Sequence, residues 1–450
     1  MKKNSVRLFH NSLSVNGLER DFAFYRDRPV SRSSFLLHVN AVTRNLADTK
    51  YVINLCEDRY LFMVLFIACL TRKQVSLLPP SRVVFEIENL KKEYNNCCSV
   101  SDEEIELMFS KKNDELEIIE PDIDFNQLAC IVFTSGSTGK PKANKKKWGA
   151  LLESSKLAAK VLQLDSERSY HILATVPAQH MFGFEMSIML PLVTCAQIHS
   201  AKPFFPQEIC HCLSQLAQPR ILITTPMHLK ACSEANLEWP EIEFILSATA
   251  TLDQELAEIA ESVFNARVKE IYGCSEAGAI ASRLVTDSAL WKLLPGYRIE
   301  KKISLFELRL PGENNTIVLH DNFDFTDGDH FILHGRESDM IKIAGKRGSL
   351  GDLRNKICSI PGVNDAVFFM PGDDLVKGRT AALVVANGND TSSILKALTK
   401  IIDPVFLPRP LIKVKKIPYN DIGKISRNKL IEILKQHRKE NSNLTECAGK

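Results

Sequence analysis

The chain has 450 residues, of which 45% are hydrophobic and 25% charged; this balance is typical of a globular protein and excludes a disordered or fibrous chain. The 57 basic and 54 acidic residues leave a formal net charge of +3, which excludes the broad positive field of a protein that binds nucleic acid regardless of sequence. A chain of this length is expected to form roughly two or three packed units.

The cysteines and the apolar runs indicate the cellular compartment of the protein. The twelve cysteines follow no repeated CxxC spacing, which favours a reducing compartment over a disulfide framework. Cys210, His211 and Cys212 are adjacent, but one short stretch cannot supply a tetrahedral metal cage without distant partners. No apolar segment follows the basic N terminus, and the longest apolar run, 61–70, is about half of the ~20 residues of a membrane span. We therefore predict a cytoplasmic protein without a membrane span.

Short apolar runs alternate with helical stretches along most of the chain. A buried helix at 60–71 and a strand at 75–78 come first; further strands are predicted at 129–133, 221–225, 244–247 and 268–272, and helices at 148–162 and 253–264. This alternation predicts an α/β fold with a parallel or mixed sheet. Shorter elements follow at 356–360, 366–370, 381–385 and 392–402, so we predict a second, smaller α+β domain, with the chain dividing into residues 1–336 and 337–450. The polar tail after Leu434 is predicted to fray.

A glycine-rich loop follows the strand at 129–133. It reads Thr134-Ser135-Gly136-Ser137-Thr138-Gly139-Lys140-Pro141-Lys142. Its hydroxyls, its lysines and its two flexible glycines can wrap a polyphosphate, although taken alone such a segment is more often a surface turn. A Walker A loop is excluded, because Thr134 replaces its first glycine and Pro141 its Ser or Thr. The lysine run 145–147 is predicted to be solvated surface.

The loop is similar to the phosphate loop of the adenylate-forming superfamily of acyl-CoA synthetases, luciferases and nonribosomal-peptide adenylation domains. Ala143 replaces the glycine that usually follows it in this family. A second motif of the family is similar to Ile271-Tyr272-Gly273-Cys274-Ser275-Glu276. The resemblance implies that Tyr272 and Gly273 contact adenine, that Ser275 meets the α-phosphate, and that Glu276, with Thr138, holds Mg²⁺.

Three further motifs occur in the family's order. The segment 176–184 resembles the stretch that lines the acyl pocket, with His180 near the substrate carboxylate, although a lone histidine of this kind is more often structural. Thr249 and Ala250 lie where the family has a glycine-rich turn against adenine, and the two glycines of that turn are replaced by Ala248 and Thr249. Asp321 matches an aspartate that binds both ribose hydroxyls, with Asp324 as a second candidate.

The last two matching segments concern the C-terminal part. Arg336 precedes a segment that resembles the family's hinge, with Ser338 at the pivot. The family's catalytic lysine falls on Lys424. The resemblance extends from about Val52 onward, and it implies a large N-terminal multi-sheet α/β domain with a small, mobile α+β C-terminal lid domain. The chain also looks like the compact bacterial acyl- or aryl-activating ligases.

The resemblance implies ATP-dependent activation of a fatty or aryl carboxylic acid to acyl-AMP, with release of pyrophosphate. The acyl group then passes to the thiol of coenzyme A or of a carrier protein's phosphopantetheine. Lys424, Glu276, Thr138 and His180 are the catalytic candidates, and ATP and Mg²⁺ the cofactors. Two alternatives stay open: an amino-acid-activating domain, with Glu185 in place of the expected aspartate, and a catalytically silent nucleotide-binding regulator.

Overall fold

The computed structural model describes residues 5–9, 17–111, 118–134, 142–164, 168–302, 305–311, 316–336, 340–343, 346–372, 375–376, 378–388, 390–420 and 425–447. The chain divides into two compact units, Met1–Arg298 with Arg309–Ile317, and Ile299–Leu308 with Val318–Lys450. The predicted domain boundary after Arg336 falls inside the second unit and stays a prediction about where a lid begins.

The first unit contains sixteen strands and ten α-helices among its described residues. The strands are β1 (Ser5–Arg7), β2 (Asp21–Tyr25), β3 (Arg28–Ser31), β4 (Tyr51–Asn54), β5 (Val75–Leu78), β6 (Cys97–Val100), β7 (Asp122–Asp124), β8 (Leu128–Thr134), β9 (Lys142–Lys147), β10 (His171–Ala174), β11 (Gln197–His199), β12 (Arg220–Thr224), β13 (Phe244–Ser247), β14 (Arg267–Cys274), β15 (Gly278–Leu284) and β16 (Trp291–Leu293). The helices are α1 (Arg32–Asn45), α2 (Arg59–Thr71), α3 (Val84–Glu93), α4 (Asp102–Ser110), α5 (Trp148–Val161), α6 (Met181–Phe184), α7 (Leu190–Val193), α8 (Pro206–Gln215), α9 (Pro226–Glu234) and α10 (Gln254–Phe264), with a π-helical turn, Glu185–Met189, between α6 and α7.

Nine strands of this unit follow one another in a large sheet, in the order β3-β2-β11-β10-β12-β13-β14-β15-β16. The strands from β2 to β14 in this order are parallel. Antiparallel pairs flank them: β3 pairs with β2 at one end, and β15 pairs with β14 and β16 with β15 at the other. Parallel strands are buried on both faces, which explains their nearly continuous apolar sequences. The carboxyl ends of β10, β12, β13 and β14 therefore meet at one edge of the sheet.

A second sheet of the first unit has the order β6-β4-β5-β8-β9. Its first four strands are parallel, and β9 returns antiparallel to β8. Because β8 and β9 are joined by residues 135–141, the predicted phosphate loop is the connection of a hairpin. Ile53, Leu77 and Ile131 of this sheet pack with Ile87 and Leu90 of α3.

Helix α2 is buried from Arg59 to Leu70, and only its last residue, Thr71, is exposed. Its sequence is apolar all round, as a helix in the middle of a core requires. The Asp58 side chain caps its first turn by accepting hydrogen bonds from the Tyr60 and Leu61 backbone N–H groups. The buried guanidinium of Arg59 donates to the carbonyl oxygens of Ala174 and Val176 at 2.9 and 2.8 Å, so this helix fixes the segment that follows β10.

The second unit contains ten strands and three α-helices in its described parts. Its strands are β17 (Arg298–Lys301), β18 (Phe306–Arg309), β19 (Thr316–Leu319), β20 (Asp321–Asp327), β21 (His330–Arg336), β22 (Met340–Ile343), β23 (Lys346–Ser349), β24 (Val363–Phe369), β25 (Ala381–Ala386) and β26 (Leu411–Lys413). Its helices are α11 (Leu350–Cys358), α12 (Thr391–Leu398) and α13 (Arg427–Cys447), with a 3₁₀ turn at Pro404–Phe406.

Small sheets build this second unit. Strands β17, β18 and β19 form one, β20 and β21 pair antiparallel, as do β22 and β23, and β24, β25 and β26 form a mixed sheet. A core of α11, α12 and the mixed sheet includes Leu353, Ile357, Ile394 and Leu398.

The predicted elements of the first unit are confirmed, whereas two of the second unit need correction: the element predicted at 356–360 covers only the end of α11, and the one predicted at 392–402 runs four residues beyond the end of α12. Every predicted strand and helix of the first unit lies within one or two residues of an observed one. The tail after Leu434 is not frayed as predicted, because α13 continues to Cys447. Leu430 and Leu434 anchor its start by packing with Phe369 and Leu383. Among the described residues, no helix combines the length and the apolar composition needed to cross a membrane; the cytoplasmic location stays a prediction.

Candidate active site

Three segments with predicted nucleotide or acyl contacts lie at or beyond the ends of strands that meet at the same edge of the large sheet. His180 lies six residues beyond the end of β10, Thr249 and Ala250 follow β13, and Tyr272 and Gly273 end β14. Ser247 of β13 pairs with Glu270 of β14, so these last two segments are neighbours. Ligands of open α/β sheets bind beyond the carboxyl ends of the strands, and this edge is therefore the candidate site.

The hairpin of β8 and β9 carries the predicted phosphate loop. Thr134 and Lys142 face each other in the register of the two strands, at the point where the chain leaves and re-enters the sheet. Five further predicted contacts, Ser135, Gly136, Ser137, Thr138 and Gly139, lie outside the described residues, as do Lys424 and the pivot Ser338. Their roles stay predictions.

An ion pair joins this hairpin to the second motif. The Nζ of Lys142 donates to Oε1 of Glu276 at 2.7 Å. Burial alone would raise the pKa of Glu276, but the hydrogen bond and the charge of Lys142 outweigh it, so the pKa lies below its usual value. The carboxylate is thus kept ionised, about a third of its side chain is exposed, and it can accept a cation.

Lys146 contradicts the prediction that the lysine run 145–147 is solvated. Lys145 and Lys147 are exposed, but Lys146 is only 8% exposed. Its Nζ donates to the backbone carbonyl oxygen of Glu276 at 2.5 Å. Burial lowers the pKa of its ammonium group. Because alternate residues of a strand share a face, Lys142 and Lys146 both point toward the same turn.

Glu185 is a second buried ionisable side chain. The sequence motif suggests it as a contact for a substrate, whereas in the structure it binds groups of the protein itself. It begins the π-helical turn and is 2% exposed. Its Oε1 accepts a hydrogen bond from the Ser154 hydroxyl of α5, and its Oε2 accepts one from the Ala279 backbone N–H at 2.8 Å. Burial raises its pKa. With both oxygens bonded inside the fold, Glu185 is not placed to hold a substrate ammonium group, which removes the support for the amino-acid-activating alternative.

Behind the two segments with the predicted adenine contacts lies a connected set of side chains that the sequence motifs do not include. The Tyr272 ring meets Trp291 edge-on at 5.9 Å, and the Arg283 guanidinium lies over the Trp291 ring at 4.6 Å. Arg283 pairs with the buried carboxylate of Glu270 at 2.7 Å. Glu270 also accepts the backbone N–H of Leu252 at 2.8 Å, at the end of the turn that contains Thr249. The strand and the turn are therefore held by one network.

Thr249 has a backbone conformation that suits glycine. Its φ of +79° lies in the left-handed region, which is rare for a β-branched residue. The family's glycines are replaced at Ala248 and Thr249, yet the turn keeps a glycine-like shape. Such strain concentrates at functional sites, and it supports a role for this turn in binding.

The predicted acyl pocket segment packs tightly around one glycine. His180 is the residue that precedes α6, and its carbonyl oxygen accepts the Phe184 N–H at 2.7 Å. A Cβ added to Gly183 would lie 2.1 Å from the Pro177 carbonyl oxygen. The close approach of these two backbones sets the direction in which the chain leaves His180.

The predicted ribose contacts belong to the second unit. Asp321 and Arg336 are paired residues of the β20–β21 hairpin. The alternative carboxylate, Asp324, accepts a hydrogen bond from His334 Nε2 at 2.7 Å. Asp321 and Arg336 stay the predicted pair for the ribose.

The donor set at the turn fits magnesium. Mg²⁺ takes hard oxygen ligands and typically binds proteins through one or two carboxylates together with substrate phosphates and waters. The ionised, partly exposed carboxylate of Glu276 meets this requirement. Within the described parts of the chain, no group of three or more His, Cys, Asp or Glu residues is arranged as a complete metal cage.

The comparisons with known proteins agree with this arrangement. Residues 41–301, more than half of the chain, match the family described as AMP-binding enzyme, and the chain belongs to this family. Its fold is that of the adenylate-forming enzymes. It superposes on O-succinylbenzoate coenzyme A synthetase of Bacillus subtilis in complex with AMP with a TM-score of 0.77 and 16% identity, over 92% of this chain and 96% of that one.

Two curated relatives are more similar in sequence. A 4-coumarate–CoA ligase of Cereibacter sphaeroides is 24% identical over 261 residues, which cover 58% of this chain and 60% of the relative. A 3,4-dihydroxybenzoate–[aryl-carrier protein] ligase of Bacillus anthracis is 22% identical over 67% of this chain and 73% of the relative. The chain thus spans less than two thirds of the length of the first of these ligases.

Proposed function

We propose that this protein is an AMP-forming acid–thiol ligase. It activates a fatty or aryl carboxylic acid with ATP and then transfers the acyl group to the thiol of coenzyme A or of a carrier protein's phosphopantetheine. The observation that carries this proposal is the ion pair of Lys142 with Glu276. It joins the C-terminal end of the glycine-rich segment to the turn between β14 and β15, which carries the predicted magnesium ligand. The names of the two relatives specify coenzyme A and an aryl-carrier protein, and they support both acceptors.

In the first step, a carboxylate oxygen of the acid attacks the α-phosphorus of ATP, and the bond between this phosphorus and the pyrophosphate oxygen breaks. The acid is already ionised at neutral pH, so the protein needs no general base; it must hold the reactants in line and offset the growing negative charge. Glu276 and Thr138 hold Mg²⁺, which when bound supplies positive charge beside the phosphates. His180 lies near the substrate carboxylate, and Lys424 contributes a second positive charge.

The remaining predicted residues bind the nucleotide. The phosphates are held by the loop residues Thr134, Ser135, Gly136, Ser137, Gly139 and Lys142 and by Ser275. Tyr272 stacks on adenine, with Gly273, Thr249 and Ala250 around it, and Asp321 and Arg336 bind the ribose. The aromatic body of Tyr272, supported by Trp291, favours this assignment.

In the second step, the sulfur of the acceptor thiol attacks the acyl carbonyl carbon, the bond between this carbon and the phosphate oxygen of AMP breaks, and AMP and the thiol proton are released. Residues 337–450 act as the lid, which moves between the two steps and withdraws Lys424. We place the reaction in the cytoplasm, because the twelve cysteines of the sequence follow no repeated CxxC spacing, which suits a reducing compartment.

The test is ATP–pyrophosphate exchange with the purified protein against fatty, hydroxybenzoic, cinnamic and amino acids. We expect exchange with one class of fatty or aryl acid, followed by thioester formation when coenzyme A or a carrier protein is added. Exchange with amino acids alone would contradict the proposed substrate class. Binding of ATP without exchange for any acid would contradict the proposed activity and favour the nucleotide-binding regulator.

A further inference from the structure

The turn between β14 and β15 carries Glu276, and its backbone is tightly constrained. Gly278 has a φ of +82°, and a Cβ placed on it would lie 2.8 Å from Oε1 of Glu185. A Cβ on Gly273 would lie 2.3 Å from the Gly278 carbonyl oxygen. Neither position leaves space for a side chain, so the two sides of the turn and the Glu185 carboxylate are packed against one another.

Two buried side chains of opposite charge hold this turn. Lys146 donates to the carbonyl oxygen of Glu276, and Glu185 accepts the N–H of Ala279. The Ser154 hydroxyl in turn fixes the Glu185 carboxylate. The backbone that bears the Glu276 side chain is therefore held at both ends, while the carboxylate itself pairs with the more exposed Lys142.

These charges are difficult to explain by stability alone. Lys146 is 8% and Glu185 2% exposed, and moving such ionisable groups out of water is unfavourable for each of them. Apolar residues of similar volume at both positions would often serve a fold equally well or better. Both side chains form hydrogen bonds to the backbone of one turn, and they therefore determine the position of that turn.

We propose that Lys146 and Glu185 are positioning residues that orient the Glu276 carboxylate toward the magnesium ion of bound MgATP. This inference rests on the proposed function for the role of Glu276, and it adds two residues that no motif assigned. Lys142 contacts the carboxylate directly, whereas Lys146 and Glu185 act through the backbone. Loss of either residue should weaken the contribution of magnesium to nucleotide binding more than it weakens binding of the nucleotide itself.

The experiment measures ATP affinity by calorimetric titration of the full chain at constant ionic strength, once with excess Mg²⁺ and once with EDTA. For Lys146→Met we expect MgATP binding to weaken about tenfold, which corresponds to the loss of one hydrogen bond from a charged group, and ATP binding in EDTA to change less than about twofold. Lys145→Met is the matched control, because Lys145 is the exposed neighbour on the opposite face of β9, and it should leave both affinities unchanged.

A second variant keeps the test decisive if Lys146→Met fails to fold. Glu185→Gln preserves shape but puts an amide against Ser154 or the Ala279 N–H, and the same magnesium-specific loss is expected. The double variant should lose less than the sum of the two single losses, because both residues act on one turn. Equal losses with and without Mg²⁺, or unchanged affinities, would overturn the inference.

This experiment also separates the inference from the proposed function. A wild-type protein that binds MgATP but catalyses no pyrophosphate exchange would contradict the ligase activity, while the comparison of variants would still decide the role of Lys146 and Glu185. A wild-type protein that binds no MgATP would overturn both proposals.

Discussion

Glu270 and Arg283 form an ion pair of 2.7 Å inside the first unit, and both residues also bond the backbone of Leu252. Their side chains are only 3% and 12% exposed. Burial raises the pKa of Glu270, and the charge of Arg283 partly offsets this effect. The pair connects β14 to the turn after β13 and thus supports both segments that carry predicted adenine contacts.

Removing the arginine should be costly. Arg283→Met leaves the Glu270 carboxylate buried without its partner, and we expect the free energy of unfolding to fall by about 3–5 kcal/mol. Urea denaturation followed by circular dichroism measures this loss. The double variant Arg283→Met with Glu270→Gln should lose less than the sum of the single variants, and strict additivity would contradict the coupling.

The strain at Thr249 predicts an unusual order of stability. Thr249→Gly and Thr249→Ala both lose the hydroxyl, but only glycine accepts a φ of +79° without cost. We expect the glycine variant to be more stable than the alanine variant by about 1 kcal/mol, the reverse of the order in a helix. Thermal unfolding of the two variants side by side measures the difference. A more stable alanine variant would show that the turn relaxes to negative φ.

The tight contact of Gly183 predicts that even a methyl group is harmful there. In Gly183→Ala the new Cβ would meet the Pro177 carbonyl oxygen at 2.1 Å, so one backbone must move. We expect a loss of about 1–3 kcal/mol in stability, measured by urea denaturation. Gly351→Ala is the control, because its Cβ would meet only Ser349 Oγ, at 3.6 Å. Equal effects of both changes would contradict the packing argument.

Stability should depend on the protonation of His38. Its Nδ1 lies 2.6 Å from the Tyr60 hydroxyl, its ring stacks on Phe109 at 4.2 Å, and burial lowers its pKa. The unfolded chain, whose histidine titrates near pH 6.5, therefore binds the proton more readily than the fold does. The stability that a neutral His38 contributes is fully present above about pH 6.5 and is lost as the pH falls below it.

The variant His38→Gln tests this dependence. It should flatten the decline of the unfolding free energy below about pH 6.5, by at most about 1.4 kcal/mol per pH unit. Part of the decline should persist, since burial also lowers the pKa of His171 and His199. Urea denaturation at several pH values gives the two curves. Parallel curves for the variant and the wild type would mean that His38 is not linked to folding.

The predicted role of Lys424 separates the two half-reactions. Lys424→Ala should slow adenylation by about 10²- to 10³-fold, the range seen when a preorganised contact to the transition state is removed. It should still convert preformed acyl-AMP to thioester, because this step does not need the lysine. Pyrophosphate exchange and thioester formation are assayed separately. Equal loss of both steps would contradict the assignment.

Much of the fold could be predicted from the sequence because its parallel strands are continuous apolar runs. The strand 244–247 was predicted to the residue, since both of its faces are buried. Helix α13 was missed after Leu434 because its polar sequence lacks an apolar period, although Leu430 and Leu434 anchor its first turns in the core.

Some residues of the candidate site could likewise be predicted from the sequence, and others could not. Tyr272 and Glu276 belong to a recognisable motif, whereas the network behind them depends on partners that the sequence separates. Lys146 looks like one of three surface lysines, but its ammonium group is buried against the backbone carbonyl oxygen of Glu276, 130 positions later in the chain. The alternation of side chains along β9 was the available signal, since it places residues 142, 144 and 146 on one face.

The contacts of β9 also limit where residues can be inserted or deleted without disturbing the site. Lys142 binds the side chain of Glu276, and Lys146 binds the backbone carbonyl oxygen of the same residue. Both lysines lie on the same face of β9. Inserting one residue between them would turn one lysine to the opposite face, and inserting two would restore the face but displace it by about 7 Å. The residues before Lys142 face no such restriction from this pair. The two contacts therefore fix the number of residues between Lys142 and Lys146 in the strand that returns from the loop.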